Sequence, residues 1–209
     1  MKLRGLYAIT PDGLATDALV AAVRAALEGG AAVIQYRDKS TDAGLRREQA
    51  LALLALARKH RVPLIVNDDV DLAARIDADG VHVGREDGAV AAARRELPGK
   101  LLGVSCYASI ARARAAAAAG ADYVAFGSMF PSPTKPQAVR APLSLFREAR
   151  SLGVPLVAIG GITTGNAPQL IAAGADCIAV ISDLFGATDV RGRAAEFARL
   201  FAPSPAISP

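Results

Sequence analysis

Short polar motifs that directly follow apolar runs are the part of this sequence best suited to chemistry. One such motif is Gln35-Tyr36-Arg37-Asp38-Lys39, and the next along the chain is Asn67-Asp68-Asp69. Arg and Lys side chains bind phosphate oxygens, whereas neighbouring carboxylates bind hard cations such as Mg²⁺. Alternation along an extended chain sends Gln35, Arg37 and Lys39 to the same side. The two motifs predict a site for a phosphorylated ligand and a metal, with an ordinary charged strand end and helix capping as the alternatives.

A third motif, His82-Val83-Gly84-Arg85-Glu86-Asp87, follows the next apolar run. Its Asp87 is expected to face Asp68 across neighbouring loops, which gives a pair of carboxylates for a cation. His82 itself lies within a predicted strand, a position that favours a hydrogen-bonded core histidine over a catalytic one. His60 lies between Lys59 and Arg61 in a predicted helix. No histidine is therefore expected to act as a general base.

The second half of the chain adds three further candidates. Ser105 ends the fifth apolar run and can contact a ligand or cap a helix. The segment from Phe130 to Pro136 combines two hydroxyls and Lys135 with prolines, which favours a semi-rigid loop that reaches a phosphate. Gly160-Gly161-Ile162-Thr163 and Ile181-Ser182 follow the last two runs. In (β/α)8 barrels these two positions often bind a phosphate through backbone N–H groups.

The elements that must position these motifs are short apolar runs alternating with Ala-, Arg- and Leu-rich stretches. Each run is too short for a helix and lacks the alternation of a half-exposed strand, so it fits a parallel strand buried on both faces. The stretches between carry helix signals: Asp17 and Ser109 are candidate N-caps, and Gly29 and Gly120 follow candidate helix ends. The predicted strands are 6–9, 32–35, 64–66, 80–83, 101–104, 123–126, 156–159 and 177–180.

Near copies of short patterns favour a closed barrel over an open sheet. Gly120-Ala121-Asp122 and Gly174-Ala175-Asp176 open the sixth and eighth strands, and the second and fourth open similarly. Repetition on every second unit suits a barrel because alternate strands fill alternate core layers. We therefore predict an α/β protein with a single (β/α)8 TIM barrel. Residues 1–201 are expected to form the catalytic domain and residues 202–209 a flexible C-terminal tail.

Composition argues against several other classes of protein. The net charge is +4, and the Lys and Arg residues are scattered through predicted helices rather than gathered in a stripe, so no nucleic-acid partner is expected. No apolar stretch has the length of a membrane span or a signal peptide. Cys106 and Cys177 are far apart in sequence, as expected for reduced cytosolic thiols. The prediction is a cytoplasmic protein whose partners are small phosphorylated molecules; a homodimer is left open.

In their order along the chain, these motifs resemble the thiamine phosphate synthase family, from Leu6 to about Leu184. The resemblance implies a transferase of thiamine biosynthesis. It joins 4-amino-2-methyl-5-hydroxymethylpyrimidine diphosphate (the pyrimidine diphosphate) to 4-methyl-5-(2-hydroxyethyl)thiazole phosphate (the thiazole phosphate), releasing pyrophosphate. The motifs that carry it are 35–39, 67–69, 82–84, 86–87, 103–105, 133–135, 160–162 and 180–182.

The resemblance also implies roles for individual residues. Arg37, Lys39 and Lys135 are implied as catalytic cations that stabilise the leaving pyrophosphate, and Asp68 and Asp87 as ligands of Mg²⁺. The pyrimidine diphosphate would be held by Gln35, Tyr36, Arg37, Asp38, Lys39, Asn67, Ser105 and Lys135. The thiazole phosphate would be held by Ser132, Pro133, Thr134, Gly161, Ile181 and Ser182. Ser132 departs from the Thr that is more usual in the family but keeps the hydroxyl, and Tyr36 and Arg85 vary without loss of a needed group.

This chemistry explains why no base is needed. The amino group of the pyrimidine stabilises the cation formed when pyrophosphate leaves, and the thiazole nitrogen already carries a lone pair. The alternatives are a thiazole tautomerase or a non-catalytic regulatory paralogue of the same fold, a phosphosugar-isomerase-type barrel, and a phosphate-ligand sensor. A tautomerase or isomerase requires an acid/base group, whereas Asp68, Asp87 and Lys135 favour the synthase.

Overall fold

Every strand of the structure pairs in parallel with the strand before it in the chain, and the last strand closes onto the first. The computed structural model describes residues 3–84, 89–131 and 139–202. The predicted (β/α)8 barrel is confirmed, and each predicted strand is present, although β5 continues further than expected, to Tyr107. The strands are β1 (Gly5–Ile9), β2 (Val33–Tyr36), β3 (Leu64–Asn67), β4 (Gly80–Val83), β5 (Leu101–Tyr107), β6 (Tyr123–Phe126), β7 (Leu156–Ile159) and β8 (Cys177–Val180).

Helices follow the strands around the outside of the barrel. Those in the described part of the chain are α1 (Thr16–Glu28), α2 (Ala43–His60), α3 (Val70–Arg75), α4 (Ala89–Glu96), α5 (Ile110–Ala118), α6 (Ser144–Ala149), α7 (Ala167–Ala173), α8 (Ser182–Phe185) and α9 (Val190–Arg199). The side chains of Asp42, Asp69, Ser109 and Asp189 cap α2, α3, α5 and α9 by accepting a backbone hydrogen bond.

The predicted cap at Ser109 is confirmed, and the predicted cap at Asp17 is wrong. Helix α1 begins at Thr16, with Ala15, two residues before Asp17, at the N-cap position and no side-chain cap. Asp17 instead lies in the first turn, where its negative charge is favourable beside the positive end of the helix dipole.

The strands separate two apolar layers. Alternate side chains face the helices and form the larger core, while the others fill the barrel itself. The inner layer includes Val33, Ile65, Val157 and Ala179. Because both faces of each strand are buried, the strands read as continuous apolar runs rather than as alternating patterns.

One close approach inside the barrel depends on a glycine. A β-carbon on Gly103 of β5 would lie 2.0 Å from Cζ of Tyr123, whose ring comes from the neighbouring strand β6. No side chain fits there, so the glycine makes room for a tyrosine ring that reaches into the barrel.

Within the described residues, no helix combines the length and the apolar character of a membrane span. The predicted tail, 202–209, lies outside the described residues beyond Ala202. The division into residues 1–201 and a tail stays a prediction.

Candidate active site

Arg37 lies at the mouth of the barrel, immediately after β2, and is held on two sides. Its backbone N–H donates to the hydroxyl of Thr10, which in turn donates to the carbonyl of Arg37, both at 2.9 Å. Its guanidinium Nη1 donates to Oδ2 of Asp12 at 2.6 Å. The Arg37 side chain is 13% exposed and that of Asp12 is 43% exposed. The cation is therefore positioned at the rim while a carboxylate occupies one of its donors.

Asp38 and Lys39 contribute to a different part of the rim. Together with the loop after β1 they line a cavity of about 480 Å³, whose other walls are Asp12, Gly13, Leu14, Ala15, Ser40 and Leu45. Strand β2 ends at Tyr36, so the alternation that predicted a common direction for Gln35, Arg37 and Lys39 does not extend to Lys39. The common direction of Lys39 with Gln35 and Arg37 stays a prediction, because residues beyond Tyr36 follow a loop rather than the strand.

In the acidic motif after β3, Asp69 stabilises the fold, whereas Asp68 lies at the candidate site. Asp69 caps α3 through Oδ1 and pairs with Arg46 of α2 through Oδ2. Asp68 is exposed, has a φ of 62°, and its Oδ2 accepts from Nδ2 of Asn67 at 2.7 Å. Its backbone N–H donates to the carbonyl of His82, which ties the turn to β4. A carboxylate thus stands at the mouth with an amide beside it.

Asp68 also approaches the end of β4. Oδ1 of Asp68 would lie 3.5 Å from a β-carbon on Gly84, the residue that follows β4. Asp87, the other predicted metal ligand, is three residues further along and lies outside the described residues. Within the described ranges, no group of three or more acidic, His or Cys side chains could hold a metal.

A chain of hydrogen bonds crosses the barrel interior below the mouth. Nε2 of Gln35 donates to the hydroxyl of Tyr7 at 2.9 Å, and that hydroxyl lies 2.7 Å from the hydroxyl of Tyr123. Nδ1 of His82 lies 3.1 Å from the same Tyr123 hydroxyl, and Nε2 of His82 lies 2.8 Å from Oγ of Ser105. We call these five residues the relay. His82 is a buried, hydrogen-bonded histidine, as predicted.

The two tyrosines of the relay are fully enclosed. Burial raises the pKa of both Tyr7 and Tyr123 well above the ordinary value for a phenol, because the protein interior disfavours the phenolate. Both hydroxyls therefore keep their hydrogen at neutral pH. Ser105, at the end of the relay, is partly exposed. It lies within β5 rather than after it, so the alternative role as a helix cap is excluded.

Tyr36 is separated from the other predicted site residues. Its hydroxyl donates to Oε1 of Gln49 in α2 at 3.0 Å, and its ring belongs to the core between strands and helices. Its side chain therefore lies on the outer face of β2, where it cannot reach a ligand in the mouth. The contact predicted for this side chain is not supported by its position.

The opposite side of the mouth is built from backbone and small side chains. Gly160 and Gly161 follow β7 with φ values of 104° and 63°. A β-carbon on Gly161 would lie 2.2 Å from the carbonyl oxygen of Pro131, so here the glycine admits the loop after β6. Nδ2 of Asn166 donates to the carbonyl of Gly161, and its Oδ1 accepts from the N–H of Thr163, which closes the turn.

The predicted pair after β8 stands beside this turn in the barrel order. Ile181 precedes α8 and is partly exposed, and Ser182 begins the helix and is exposed. The nearby carboxylate of Asp183 accepts from Nη1 of Arg193 at 2.7 Å. That ion pair connects the first turn of α8 to α9.

Several predicted site residues lie outside the described residues: Asp87, Ser132, Pro133, Thr134 and Lys135. Among the others, the structure brings Arg37, Asp38, Lys39, Asn67, Asp68 and Ser105 to the same end of the barrel, with Gln35 beneath them. Their roles remain predictions.

Sequence reasoning missed the partners of these residues. Asp12 and Arg46 come from a loop and a helix whose approach to the mouth is set by the closed fold. Tyr7 and Tyr123 lie inside apolar runs and read as ordinary core. The available signal was the inward-facing position of both tyrosines in their strands. Tyr7 lies two residues before Ile9, so the two side chains face the same way, and Ile9 pairs with Gln35 of β2.

A closed parallel barrel whose strand ends carry paired Arg and Asp residues on one side and a double-glycine turn on the other defines a (β/α)8-barrel enzyme. Comparison with known proteins narrows the class. The chain belongs to the thiamine monophosphate synthase family, whose model matches residues 6–184.

Individual relatives agree with this family. Over 202 residues the chain is 60% identical to the thiamine-phosphate synthase of Aromatoleum aromaticum, covering 96% of this chain and 97% of that protein. It is 56% identical over 200 residues to the thiamine-phosphate synthase of Methylobacillus flagellatus, covering 95% and 96%. A solved structure of thiamine phosphate pyrophosphorylase from Pyrococcus furiosus superposes with a TM-score of 0.86 at 37% identity, covering 96% of both chains.

Proposed function

We propose that this protein is a thiamine-phosphate synthase that joins the pyrimidine diphosphate to the thiazole phosphate and releases pyrophosphate. The observation that carries the proposal is the mouth of the barrel, where Arg37, Lys39 and Asp68 follow two neighbouring strands, in a chain that matches the family along most of its length. These groups suit a diphosphate and its counter-cation.

Asp68 and Asp87 are the residues that would hold Mg²⁺. The fit rests on Asp68, an exposed carboxylate at a strand end, whose Oδ1 would lie 3.5 Å from a β-carbon on Gly84, the residue after the neighbouring strand β4. Oxygen ligands of this kind are those that Mg²⁺ prefers, usually with waters and substrate phosphates completing the shell. When bound, the ion would supply positive charge to the diphosphate.

The basic side chains stabilise the leaving group. Arg37, Lys39 and Lys135 offer donors to the oxygens on which negative charge accumulates as the carbon–oxygen bond breaks. Thr10 fixes the backbone of Arg37 at the rim, and the Arg37 guanidinium would exchange Asp12 for the diphosphate. Gln35, Asn67 and Ser105 are the residues proposed to hold the pyrimidine end of the same substrate.

The thiazole phosphate would lie on the opposite side of the mouth. Backbone N–H groups near Gly161 and Ile181, together with the hydroxyl of Ser182, offer donors to a single phosphate. Ser132, Pro133 and Thr134 complete this set in the proposal. Alignment of the two rings then brings the thiazole nitrogen to the carbon that loses pyrophosphate.

The reaction requires no general base, because the attacking nitrogen carries no proton. His82 is committed to Tyr123 and Ser105, and His60 is an exposed residue at the end of α2. The thiazole tautomerase, which needs an acid/base group, is not favoured by any observation on the described residues.

The test is an assay of the purified protein with both phosphorylated substrates and Mg²⁺. We expect thiamine phosphate and pyrophosphate in equal amounts, loss of turnover in excess chelator, and recovery when Mg²⁺ is restored. Isomerisation of a thiazole phosphate without any coupled product would replace the synthase by the tautomerase. Full turnover in excess chelator would overturn the metal assignment.

A further inference from the structure

Gln49 of α2 is a buried amide, 1% exposed, that has no part in the reaction proposed above. Its Nε2 donates to the carbonyl of Leu14 at 2.8 Å, and its Oε1 accepts from the hydroxyl of Tyr36 at 3.0 Å. A backbone carbonyl can only accept, so the Leu14 contact requires Nε2 on that side and leaves Oε1 for Tyr36. Because both ends of a buried amide are used, Gln49 holds the two segments at one separation.

The two segments that Gln49 connects carry the partners of an ion pair at the mouth. Leu14 lies in the loop after β1, two residues after Asp12, and Tyr36 immediately precedes Arg37. Asp12 and Arg37 pair at 2.6 Å. Gln49 therefore contacts neither charge, but it is bonded to the stretch of backbone that places each of them.

The loop after β1, residues 10–15, is tied down at both ends. At its start, Thr10 exchanges two hydrogen bonds with the backbone of Arg37. At its end, Gln49 holds the loop to α2, and the hydroxyl of Thr16 donates to Oε1 of Glu48 at 2.7 Å in an exposed position. Water competes for an exposed hydrogen bond more than for one made by a buried amide. The Gln49 bond is therefore the firmer of the two ties to α2.

The cavity of about 480 Å³ at the rim lies between the same two segments. Leu14 and Ala15 line it from the loop after β1, and Lys39 and Ser40 line it from the loop after β2. Gln49 is not one of its lining residues. It sets the separation of the two walls from behind, without touching what the cavity holds.

We propose that Gln49 is a positioning residue for the pyrimidine diphosphate, acting through Leu14 and Tyr36 on the two loops that bind it. The inference rests on the proposed function. When the two bonds are lost, the loops separate, and Arg37 and Lys39 no longer reach the diphosphate together. KM for the pyrimidine diphosphate then rises. The thiazole phosphate is proposed to bind on the opposite side of the mouth, so its KM stays unchanged.

The experiment compares Gln49→Met, which keeps the length of the side chain but loses both bonds, with Tyr36→Phe, which loses one. Steady-state kinetics with each substrate varied in turn give both KM values. We expect KM for the pyrimidine diphosphate to rise about tenfold in Gln49→Met and about threefold in Tyr36→Phe, the sizes of two and one net hydrogen bonds that are partly expressed in binding. KM for the thiazole phosphate should stay within about twofold of wild type.

Leu53→Val is the matched control. Leu53 is a fully buried residue of the outer core, one turn further along α2, and its replacement removes packing from the same helix without removing either bond of Gln49. We expect lower stability with both KM values unchanged. An equal rise in Leu53→Val, a rise of both KM values in Gln49→Met, or an unchanged KM for the pyrimidine diphosphate in either test variant would overturn the proposal.

A second measurement separates this proposal from the proposed function. The affinity of each variant for inorganic pyrophosphate with Mg²⁺ is measured by calorimetry, which needs no turnover. We expect Kd to rise in Gln49→Met and to stay unchanged in Leu53→Val. That result in a protein that makes no thiamine phosphate would refute the function and leave the role of Gln49 standing. An equal Kd for wild type and Gln49→Met in an active synthase would refute the role of Gln49 alone.

Discussion

The two sides of the barrel mouth present different chemical groups. The side formed by the loops after β1, β2 and β3, which we call the charged half, presents Arg37, Asp12, Asp68, Asp69 and Arg46, most of them already in ion pairs. The side formed by the loops after β7 and β8, the backbone half, presents glycines, Ile181 and Ser182. The same fold thus presents two chemically different surfaces at one mouth.

The two halves differ in which of their own contacts would have to break for a ligand to bind. If the charged half binds a diphosphate as proposed, the ligand would compete with carboxylates that already hold the guanidinium groups, so a counter-cation and a rearranged ion pair would accompany binding. In the backbone half the donors are fixed by the turn itself and carry no counter-charge that must leave. Substitutions should therefore change ligand binding through charge in the charged half and through backbone geometry in the backbone half.

The largest loss of activity is expected when the carboxylate proposed to bind the metal is replaced. Asp68→Asn keeps the size and a residue type that tolerates a φ of 62°, but removes the charge. We expect kcat to fall about 10²-fold or more, because a bound metal contributes several kcal/mol to charge stabilisation. The measurement is turnover as a function of Mg²⁺ concentration.

The control is Asp71→Asn, an exposed carboxylate in the first turn of α3. It removes the same charge close by in sequence but outside the proposed metal site, and its rate should stay within about twofold of wild type, as for an ordinary surface charge. Equal losses in both variants would assign the effect to the overall field of the charged half.

An intermediate effect is expected on the backbone half. Gly161→Ala places a β-carbon 2.2 Å from the carbonyl of Pro131, so the turn and the loop after β6 must separate. We expect KM for the thiazole phosphate to rise about tenfold, equivalent to roughly 1.4 kcal/mol. KM for the pyrimidine diphosphate should change little. Steady-state kinetics with each substrate varied in turn measure both values.

Gly153→Ala serves as the partner experiment for Gly161→Ala. Gly153 has a φ of 70° but no atom within 4 Å of its would-be β-carbon. Both variants should lose roughly 1 kcal/mol of stability from the left-handed backbone. Only Gly161→Ala should alter binding, and a matching rise in KM for Gly153→Ala would show that general destabilisation is responsible.

The strands and the barrel order were predictable from the sequence, because parallel strands buried on both faces leave uninterrupted apolar runs and alternate units repeat. The ends of these strands located Arg37, Asp68 and Gly161 for the same reason. The side-chain directions beyond Tyr36 were not predictable. Alternation holds only within a strand, and the sequence does not mark the residue where β2 stops.

The contacts across the barrel could not be predicted from the sequence, for a different reason. Tyr7 and Tyr123 are separated by 116 residues, and only closure of the barrel brings their hydroxyls to 2.7 Å. The position of a tyrosine in a strand indicates that it faces inward, but it does not indicate which polar partner it will meet. Likewise nothing near Arg37 in sequence indicates that Asp12 will pair with it.

The smallest effect on substrate binding is expected for the ion pair between two residues of the charged half, Arg37 and Asp12. Asp12→Asn removes the carboxylate that accepts from Nη1 of Arg37 at 2.6 Å, so the guanidinium no longer has to give up a charged partner when a diphosphate binds. We expect KM for the pyrimidine diphosphate to fall about threefold, since a half-exposed ion pair contributes less than about 1 kcal/mol. The gain should shrink as salt rises, because screening weakens the pair that the substitution removes. Asp77→Asn, which removes an exposed ion pair with Arg58 and Lys100 outside the mouth, should leave KM unchanged. A higher KM for Asp12→Asn would show that Asp12 orients Arg37 for the substrate more than it competes with it, and the charged half would then resemble the backbone half in being preset by its own structure.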